Sequence, residues 1–303
     1  MSKQWLNYAG LILAAAIWGS NFGVSRLAME TFDPILFTFL RFSLAIPFFL
    51  VLLKLKEGTI GISFKAAIQL AAIGLIGITA LEIIVMYSIK YTTLANASLL
   101  NVAPWPIFAA LFTPLFMREA ISSRLIAGGA AAIAGVSLVI AGGSEGFDLS
   151  SDHMLGNLLA FGVSILGALF NAASMPLMKQ YSALRVSTWT IMFGALFMFP
   201  LTLGTWGKVS WGTLSAGSYA AVAFNVLVCT VIAFVLWNAS MFQVGAARAN
   251  FFRYVVPAAA VAAGYLLFDE RVTAWQMIGA CCMAAGLIWI SMESSSKPRK
   301  FEM

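Results

Sequence analysis

The chain has few charged residues for its length, and this shortage excludes most water-soluble architectures. Of its 303 residues only 10% are Asp, Glu, Lys or Arg, against about 25% in soluble domains. Apolar residues reach 61%, above the roughly 45 to 50% that is usual in soluble domains. A surface facing water cannot be built from this composition. The sequence therefore indicates a protein whose surface faces lipid.

Residues that commonly hold metals or carry out catalysis are also scarce. His153 is the only histidine, and a lone histidine without nearby ligands does not indicate a metal site. The cysteines lie inside apolar runs, which favours free buried thiols over a disulfide framework; they are Cys229, Cys281 and Cys282. The H-E-x-x-H motif is missing too, and the G-x-S-x-G spacing at 142–146 falls in the linker expected between helices and not at the strand-to-helix turn of a nucleophile elbow. We therefore expect no enzyme activity, no cofactor and no metal.

Ten apolar runs approach or exceed the length that crosses a bilayer, which is about 20 residues. The connections between them hold about a dozen residues at most, so no soluble domain fits between the runs. The predicted fold is an all-α integral membrane protein with ten transmembrane helices. The runs cover 5–24, 35–53, 64–87, 95–116, 125–141, 155–178, 187–203, 214–241, 246–268 and 273–292.

The second half of the chain repeats landmarks of the first half at a constant offset of 151 residues. Pro106, Glu119, Ser122, Gly128 and Gly135 recur as Pro257, Glu270, Thr273, Gly279 and Gly286. Each copy contains two apolar helices joined by a short elbow with a glutamate and a helix-capping hydroxyl. Five runs per half is an odd number, so the second copy enters the membrane from the opposite face, an arrangement typical of transporters. We predict two inverted five-helix repeats, 1–141 and 154–292, joined by an external linker, 142–153, and followed by a cytoplasmic tail, 293–303.

Positive residues between the runs predict the orientation, because they concentrate in cytoplasmic loops. With the N-terminus inside, twelve basic residues are cytoplasmic: Lys3, Lys54, Lys56, Lys65, Arg118, Arg124, Lys179, Arg185, Arg248, Lys297, Arg299 and Lys300. Only four lie outside: Arg26, Lys90, Lys208 and Arg271. Both termini should therefore be cytoplasmic. The net charge of +6 is scattered and not gathered on one face, which disfavours nucleic acid as a partner.

Two glutamates near the helix elbows are better explained by structure than by chemistry. Glu119 and Glu270 each precede a capping hydroxyl by three residues, where a carboxylate favours the positive start of a helix. Thr273 and Gln276 have the spacing of a capping box. The fifth and tenth runs are rich in glycine and alanine, which favours close helix packing in lipid.

Three ionisable residues lie inside the apolar runs, where charge is costly and commonly functional. Arg41 and Glu82 fall at similar depth, about 10 to 12 Å below the outer surface by helical rise, so they could pair. Arg253 lies at a similar depth from the cytoplasm. Structural explanations stay open, since each arginine could extend to the interface and Arg41 could lock two helices through Glu82.

Aromatic and amide residues accompany these charges and complete a candidate substrate-binding set with Arg41 and Arg253. They are Trp18, Asn21, Tyr87, Asn101, Trp105, Trp237, Asn238 and Tyr254. Taken singly, each is better explained by packing or by an interfacial aromatic belt. Together with two arginines and one glutamate they describe a cavity of net charge +1, suited to a carboxylate on a partly apolar molecule. Pro104, Pro106 and Pro257 predict kinks in the fourth and ninth runs.

Several of these motifs together resemble the EamA-type branch of the drug/metabolite transporter superfamily, and the resemblance covers nearly the whole chain. The motifs are the segment 15–22 with Trp18, Gly19, Ser20 and Asn21; the Leu40-Arg41-Phe42 triplet; and the repeated Pro-to-Glu-to-Gly blocks. The second-half counterpart of the Trp-Gly-Ser-Asn motif departs from it, reading Phe170-Asn171-Ala172-Ala173, so the two halves are chemically unequal.

The resemblance implies a multi-pass secondary transporter of the plasma (inner) membrane, commonly an exporter of amino acids or related small metabolites. Its partners would be a small-molecule substrate and the lipid bilayer. Protons are the expected coupling ion on a separate ground: desolvation disfavours the charged form of Glu82 while Arg41 at matching depth favours it, so Glu82 is the candidate proton carrier. The last helix of each repeat would lie away from the transport path, at a homodimer contact. Two alternatives remain: a lipid-linked or sugar-phosphate carrier of the same superfamily, and a non-enzymatic membrane assembly subunit.

The predicted topology can be tested by cysteine labelling. In a cysteine-free background, a cysteine replacing Ser151 should react with an impermeant maleimide from outside, and one replacing Ser296 should react only from inside. The basis is the positive-residue bias. Labelling of both positions from one side would contradict the inverted repeat.

Overall fold

The computed structural model describes residues 3–117, 123–142, 151–244, 249 and 252–294, and within these ranges the chain is helical without strands. This agrees with the predicted all-α class. The helices are α1 (Lys3–Ala28), α2 (Pro34–Glu57), α3 (Phe64–Gly74), α4 (Leu81–Tyr91), α5 (Leu94–Val102), α6 (Trp105–Met117), α7 (Ser123–Ala141), α8 (Asp152–Met178), α9 (Ala183–Thr202), α10 (Ala216–Ala223), α11 (Ala233–Val244), α12 (Val255–Phe268) and α13 (Ala274–Ser294).

Seven helical segments of the described chain are long and apolar enough to cross a membrane. They are Trp5–Ala28, Pro34–Glu57, Phe64–Tyr91, Leu94–Phe112, Asp152–Met178, Ala183–Thr202 and Ala216–Met241. Two further apolar helices are shorter, Ile126–Ala141 and Val255–Phe268. The fold is thus that of a multi-pass membrane protein, while the ten-span arrangement stays a prediction.

Two of the long segments contain π-helical stretches, in which each backbone bond spans one residue more than in an α-helix. Leu75–Ala80 joins α3 to α4, and Phe224–Ile232 joins α10 to α11. Adding 151 to 75–80 gives 226–231, which lies inside the second stretch. The irregularity therefore falls at equivalent positions of the two halves.

Two of the predicted runs are interrupted helices and not continuous ones. The run 95–116 divides into α5 and α6 at Ala103 and Pro104, because Pro104 and Pro106 cannot donate to the carbonyls four residues earlier. The run 246–268 includes residues outside the described ranges, and its regular helix α12 begins only at Val255, after a turn at Arg253 and Tyr254.

The second interruption corrects two expectations. Arg253 lies in the turn that precedes α12 and not within a continuous helix. Pro257 belongs to the first turn of α12, where a missing N–H costs nothing because that position has no intrahelical acceptor. Pro257 therefore does not kink the helix partway along.

The small-residue helices α7 and α13 pack directly against each other. A Cβ atom on Gly135 would lie 2.6 Å from the carbonyl oxygen of Gly279, and one on Gly279 would lie 2.6 Å from that of Gly135. A Cβ on Gly286 would lie 3.0 Å from the carbonyl oxygen of Gly128. Glycine is thus required for the close approach of these backbones. The homodimer contact expected through these helices stays a prediction.

The elbow glutamate of the second half has a clear structural role. Glu270 forms an ion pair with Arg26 of α1, and its Oε2 accepts a 2.8 Å bond from the backbone N–H of Leu94. It therefore caps the start of α5 and not its own following helix.

The capping box is present, with Thr273 N–H donating to Gln276 Oε1 at 2.7 Å and Gln276 N–H donating to Thr273 Oγ1 at 3.3 Å. Glu119 lies outside the described residues.

Two smaller expectations also change. Ser151 caps α8 through a 3.1 Å bond from Met154 N–H, so the helix begins at Asp152 and His153 lies in its first turn and not in a loop. Of the three cysteines expected to be buried, only Cys229 is, because α13 leaves Cys281 exposed and Cys282 half-buried. Residues 143–150 of the expected linker lie outside the described ranges.

Helix packing at the α7–α13 contact is testable by adding one methyl group. Gly135→Ala should lower the free energy of unfolding by about 1 to 3 kcal/mol, because its Cβ would meet a backbone oxygen that cannot move aside. Thermal unfolding of the purified protein in detergent measures the effect. Gly162→Ala is the matched control, since nothing lies within 4 Å of a Cβ there. Equal melting temperatures for the two variants would contradict the packing.

Candidate functional site

The two interrupted helices meet at their interruptions. The hydroxyl of Tyr254, which immediately precedes α12, donates a 3.1 Å bond to the carbonyl oxygen of Ala103, between α5 and α6. These two residues are 151 positions apart, so each stands at the repeat equivalent of the other. Carbonyls freed by helix breaks are tolerated at membrane depth where they lie inside the protein.

Arg253 lies in an aromatic environment between these breaks. Its guanidinium carbon is 4.9 Å from the ring centroid of Trp105 and 5.4 Å from that of Trp237. Trp18 extends the group, with its ring centroid 5.1 Å from that of Trp237. Cation–π contacts contribute about 0.5 to 2 kcal/mol each. No ion pair joins Arg253 to a carboxylate within the described ranges. The neighbours of its guanidinium there are aromatic ring faces and not an anion.

Buried polar atoms without hydrogen-bond partners in the described structure occur on the same elements. They are Oδ1 of Asn21 and Oγ of Ser25 on α1, Oδ1 of Asn101 on α5 and Nε1 of Trp105 at the start of α6. A buried polar group left unsatisfied costs about 1 to 3 kcal/mol, so such atoms usually serve a bound solute or water. The two amide oxygens can only accept hydrogen bonds and the indole N–H can only donate one, so the set contains both kinds of group.

A second charged centre joins Arg41 of α2 to Glu82 of α4, as the matching depth predicted. Arg41 Nη1 lies 3.2 Å from Glu82 Oε2. The same guanidinium donates from Nε to Thr230 Oγ1 at 2.9 Å and from Nη2 to Cys229 Sγ at 3.7 Å. Arg41 is only 9% exposed, so this polar group is held inside the helical bundle.

Trp18 connects the two centres. Its indole Nε1 donates a 3.1 Å bond to the carbonyl oxygen of Cys229, the residue whose thiol contacts Arg41. Its ring also contacts Trp237 beside Arg253. Trp18 therefore lies between a neighbour of Arg41 and a neighbour of Arg253.

Two of the predicted site residues make local contacts only. Tyr87 lies near the end of α4, where its ring stacks on Tyr91 at 6.0 Å and faces the Lys90 ammonium at 5.9 Å. Asn238 donates a 2.8 Å bond to the carbonyl oxygen of Phe234 in its own helix. Neither contact joins the two charged centres.

Sequence reasoning missed Thr230 and Cys229, the partners of Arg41 in the second half. Neither carries a formal charge at neutral pH, and a threonine in an apolar helix is usually satisfied by its own backbone. One signal was available, because Thr230 stands 151 residues after Thr79. A shared hydroxyl inside two equivalent helices is a pattern that the repeat alignment could have revealed.

Interrupted helices that meet at their breaks are typical of membrane transport proteins. The profile of the EamA-like transporter family matches residues 5–141 and again residues 154–292. The chain therefore belongs to the EamA-like transporter family, within the drug/metabolite transporter superfamily that its motifs resemble.

Relatives span nearly the whole chain. The uncharacterized transporter YetK of Bacillus subtilis is 27% identical over 98% of this chain and 90% of its own length. A probable terminal-alkyne amino-acid exporter of Streptantibioticus cattleyicolor is 24% identical over 96% of this chain and 95% of its own. One solved crystal structure is similar with a TM-score of 0.67 at 14% identity, covering 94% of this chain and 96% of that one. At that identity the likeness shows the fold alone.

Proposed function

We propose that this protein is a secondary active transporter that exports an amino acid or a related small carboxylate by alternating access. The observation that carries the proposal is the placement of Arg253. It lies at the break of one helix, over the ring of Trp105 at the break of another, without a carboxylate partner in the described residues. A substrate carboxylate would supply the missing anion.

The free polar atoms favour an amino acid over a simple carboxylate. Oδ1 of Asn21 and Oδ1 of Asn101 accept hydrogen bonds and would suit an ammonium group, whereas Arg253 and Trp105 Nε1 donate and would suit a carboxylate. Trp18 and Trp237 offer apolar and cation-attracting ring faces nearby. The relative described as a probable amino-acid exporter supports this substrate class.

We further propose ten transmembrane helices in two inverted repeats, 1–141 and 154–292, in the plasma membrane with both termini cytoplasmic. Reciprocal contacts support the repeat. The offset of 151 maps Gly128 onto Gly279 and Gly135 onto Gly286, so the close approach of Gly135 to Gly279 maps onto that of Gly286 to Gly128. Such exchange of equivalent positions is what a two-fold axis between the halves would produce.

Proton coupling through Glu82 is part of the same proposal. Arg41 contacts Glu82 and is joined through Cys229 and Trp18 to the aromatic group around Arg253. A substrate carboxylate that competed for Arg41 would release Glu82 to take up a proton.

A sugar-phosphate carrier is the second candidate, but a phosphate would need more cationic lining than two arginines offer.

A transport screen with Arg253 variants tests the substrate site. Liposomes containing the protein should accumulate one or more labelled amino acids above protein-free vesicles. Arg253→Lys keeps the charge but loses the planar guanidinium, which can donate two parallel hydrogen bonds to a carboxylate. The apparent affinity for the transported amino acid should therefore fall about tenfold. Arg185→Lys is the matched control, since Arg185 pairs with Glu57 at 2.8 Å, in a separate contact outside the site. Unchanged transport in Arg253→Ala would leave Arg253 a structural role only.

Glu82→Gln tests the coupling role, because glutamine keeps the shape and hydrogen bonding but cannot ionise. The variant should still exchange substrate for substrate across the liposome membrane, while losing transport driven by a pH gradient. Both modes are measured on one preparation, so a folding defect would lower them together. Persistence of gradient-driven transport would assign Glu82 to a static ion pair.

A further inference from the structure

In the π-helical stretch Phe224–Ile232, the hydroxyl of Thr230 bonds to a carbonyl oxygen at an unusual sequence distance. Thr230 Oγ1 donates a 2.7 Å bond to the carbonyl oxygen of Asn225, five residues earlier. Other helical Ser and Thr hydroxyls that bond their own helix in the described chain reach back three or four residues, as Thr38 does to Pro34 and Thr188 does to Leu184. The π-helical register therefore decides where the Thr230 hydroxyl points.

That hydroxyl leaves a lone pair for Arg41. With its hydrogen given to Asn225, Thr230 Oγ1 accepts the 2.9 Å bond from Arg41 Nε. The bond fixes one edge of the guanidinium, while Nη1 faces Glu82 at 3.2 Å and Nη2 faces Cys229 Sγ at 3.7 Å. The three contacts hold a planar group from three directions.

The equivalent residue of the first half does something different. Thr79 lies in the other π-helical stretch, but its hydroxyl donates a 2.8 Å bond to the carbonyl oxygen of Gly194 on α9. The Thr79 hydroxyl contacts no arginine among the described residues. The two threonines thus occupy equivalent positions with unequal partners, and only Thr230 contacts a charged group.

We propose that Thr230 is a positioning residue that holds Arg41 against Glu82 and Cys229, and that the π-helical register of Phe224–Ile232 sets its orientation. A return of this stretch to regular α-helix would move the hydroxyl's acceptor to a carbonyl three or four residues back and turn the hydroxyl away from Arg41. The ion pair of the first half is thereby linked to the backbone of the second half.

The test uses the Cys229 thiol, which Arg41 contacts, as a reporter that needs no substrate. In the full chain with Cys281→Ser and Cys282→Ser, alkylation of Cys229 by N-ethylmaleimide is timed by mass spectrometry. Thr230→Val keeps the volume but removes the hydroxyl, so a less restrained guanidinium should expose the thiol and raise the rate about tenfold. Thr230→Ser keeps the hydroxyl and should restore the rate of the parent protein, which a packing role would not predict.

Thr79→Val is the matched control, because it removes the equivalent hydroxyl without touching Arg41, and its rate should stay within about twofold of the parent. Thr230→Ala is measured in parallel so that a folding failure of the valine variant does not decide the result. Equal rates in the Thr230 and Thr79 variants, including no reaction in either, would overturn the proposal. Since the readout involves no transport, it is independent of the proposed substrate and direction.

Discussion

The structure depends on one constraint, that backbone N–H and C=O groups inside a bilayer must find partners within the protein. Regular helices satisfy it, so each departure from regular helix has to be buried in protein. Within the described part of the apolar runs, the departures include the breaks at Ala103–Pro104 and Arg253–Tyr254 and the two π-helical stretches. They are where the Tyr254 bond and the Arg41 contacts form. The irregular backbone and the candidate chemistry therefore coincide.

The two charged centres are stabilised in different ways. Arg41 has a carboxylate, a hydroxyl and a thiol around it, so its charge is met by polar partners. Arg253 has two indole rings, which attract a cation, and its guanidinium has no hydrogen-bond partner among the described residues. The guanidinium of Arg41 is thus engaged by polar side chains, whereas that of Arg253 contacts ring faces. Trp18 connects the two groups indirectly, through the carbonyl oxygen of Cys229 and the ring of Trp237.

Sequence reasoning found the charged residues and their relative depth, because an ionisable group in an apolar run stands out at once. It placed Tyr87 and Asn238 in the same set without support from their contacts, since residue type does not say which face of a helix a side chain takes. It misjudged the ninth run, because Pro257 suggests a kink within a helix when it belongs to a first turn. It also expected Glu270 to stabilise the start of the helix that follows it, whereas the carboxylate caps α5, which lies in a distant part of the chain.

The sequence by itself determined the membrane setting, the helical class and the family, because composition, run length and repeated motifs are local properties that need no coordinates. Tertiary structure decided which residues meet. The contacts of Arg41 with Thr230, of Arg253 with Trp105 and of Gly135 with Gly279 join positions more than 140 residues apart. Each contact depends on how its helices are rotated about their axes. The two arginine contacts depend also on the register of a π-helical or interrupted segment, where a shift of one residue moves a side chain to another face.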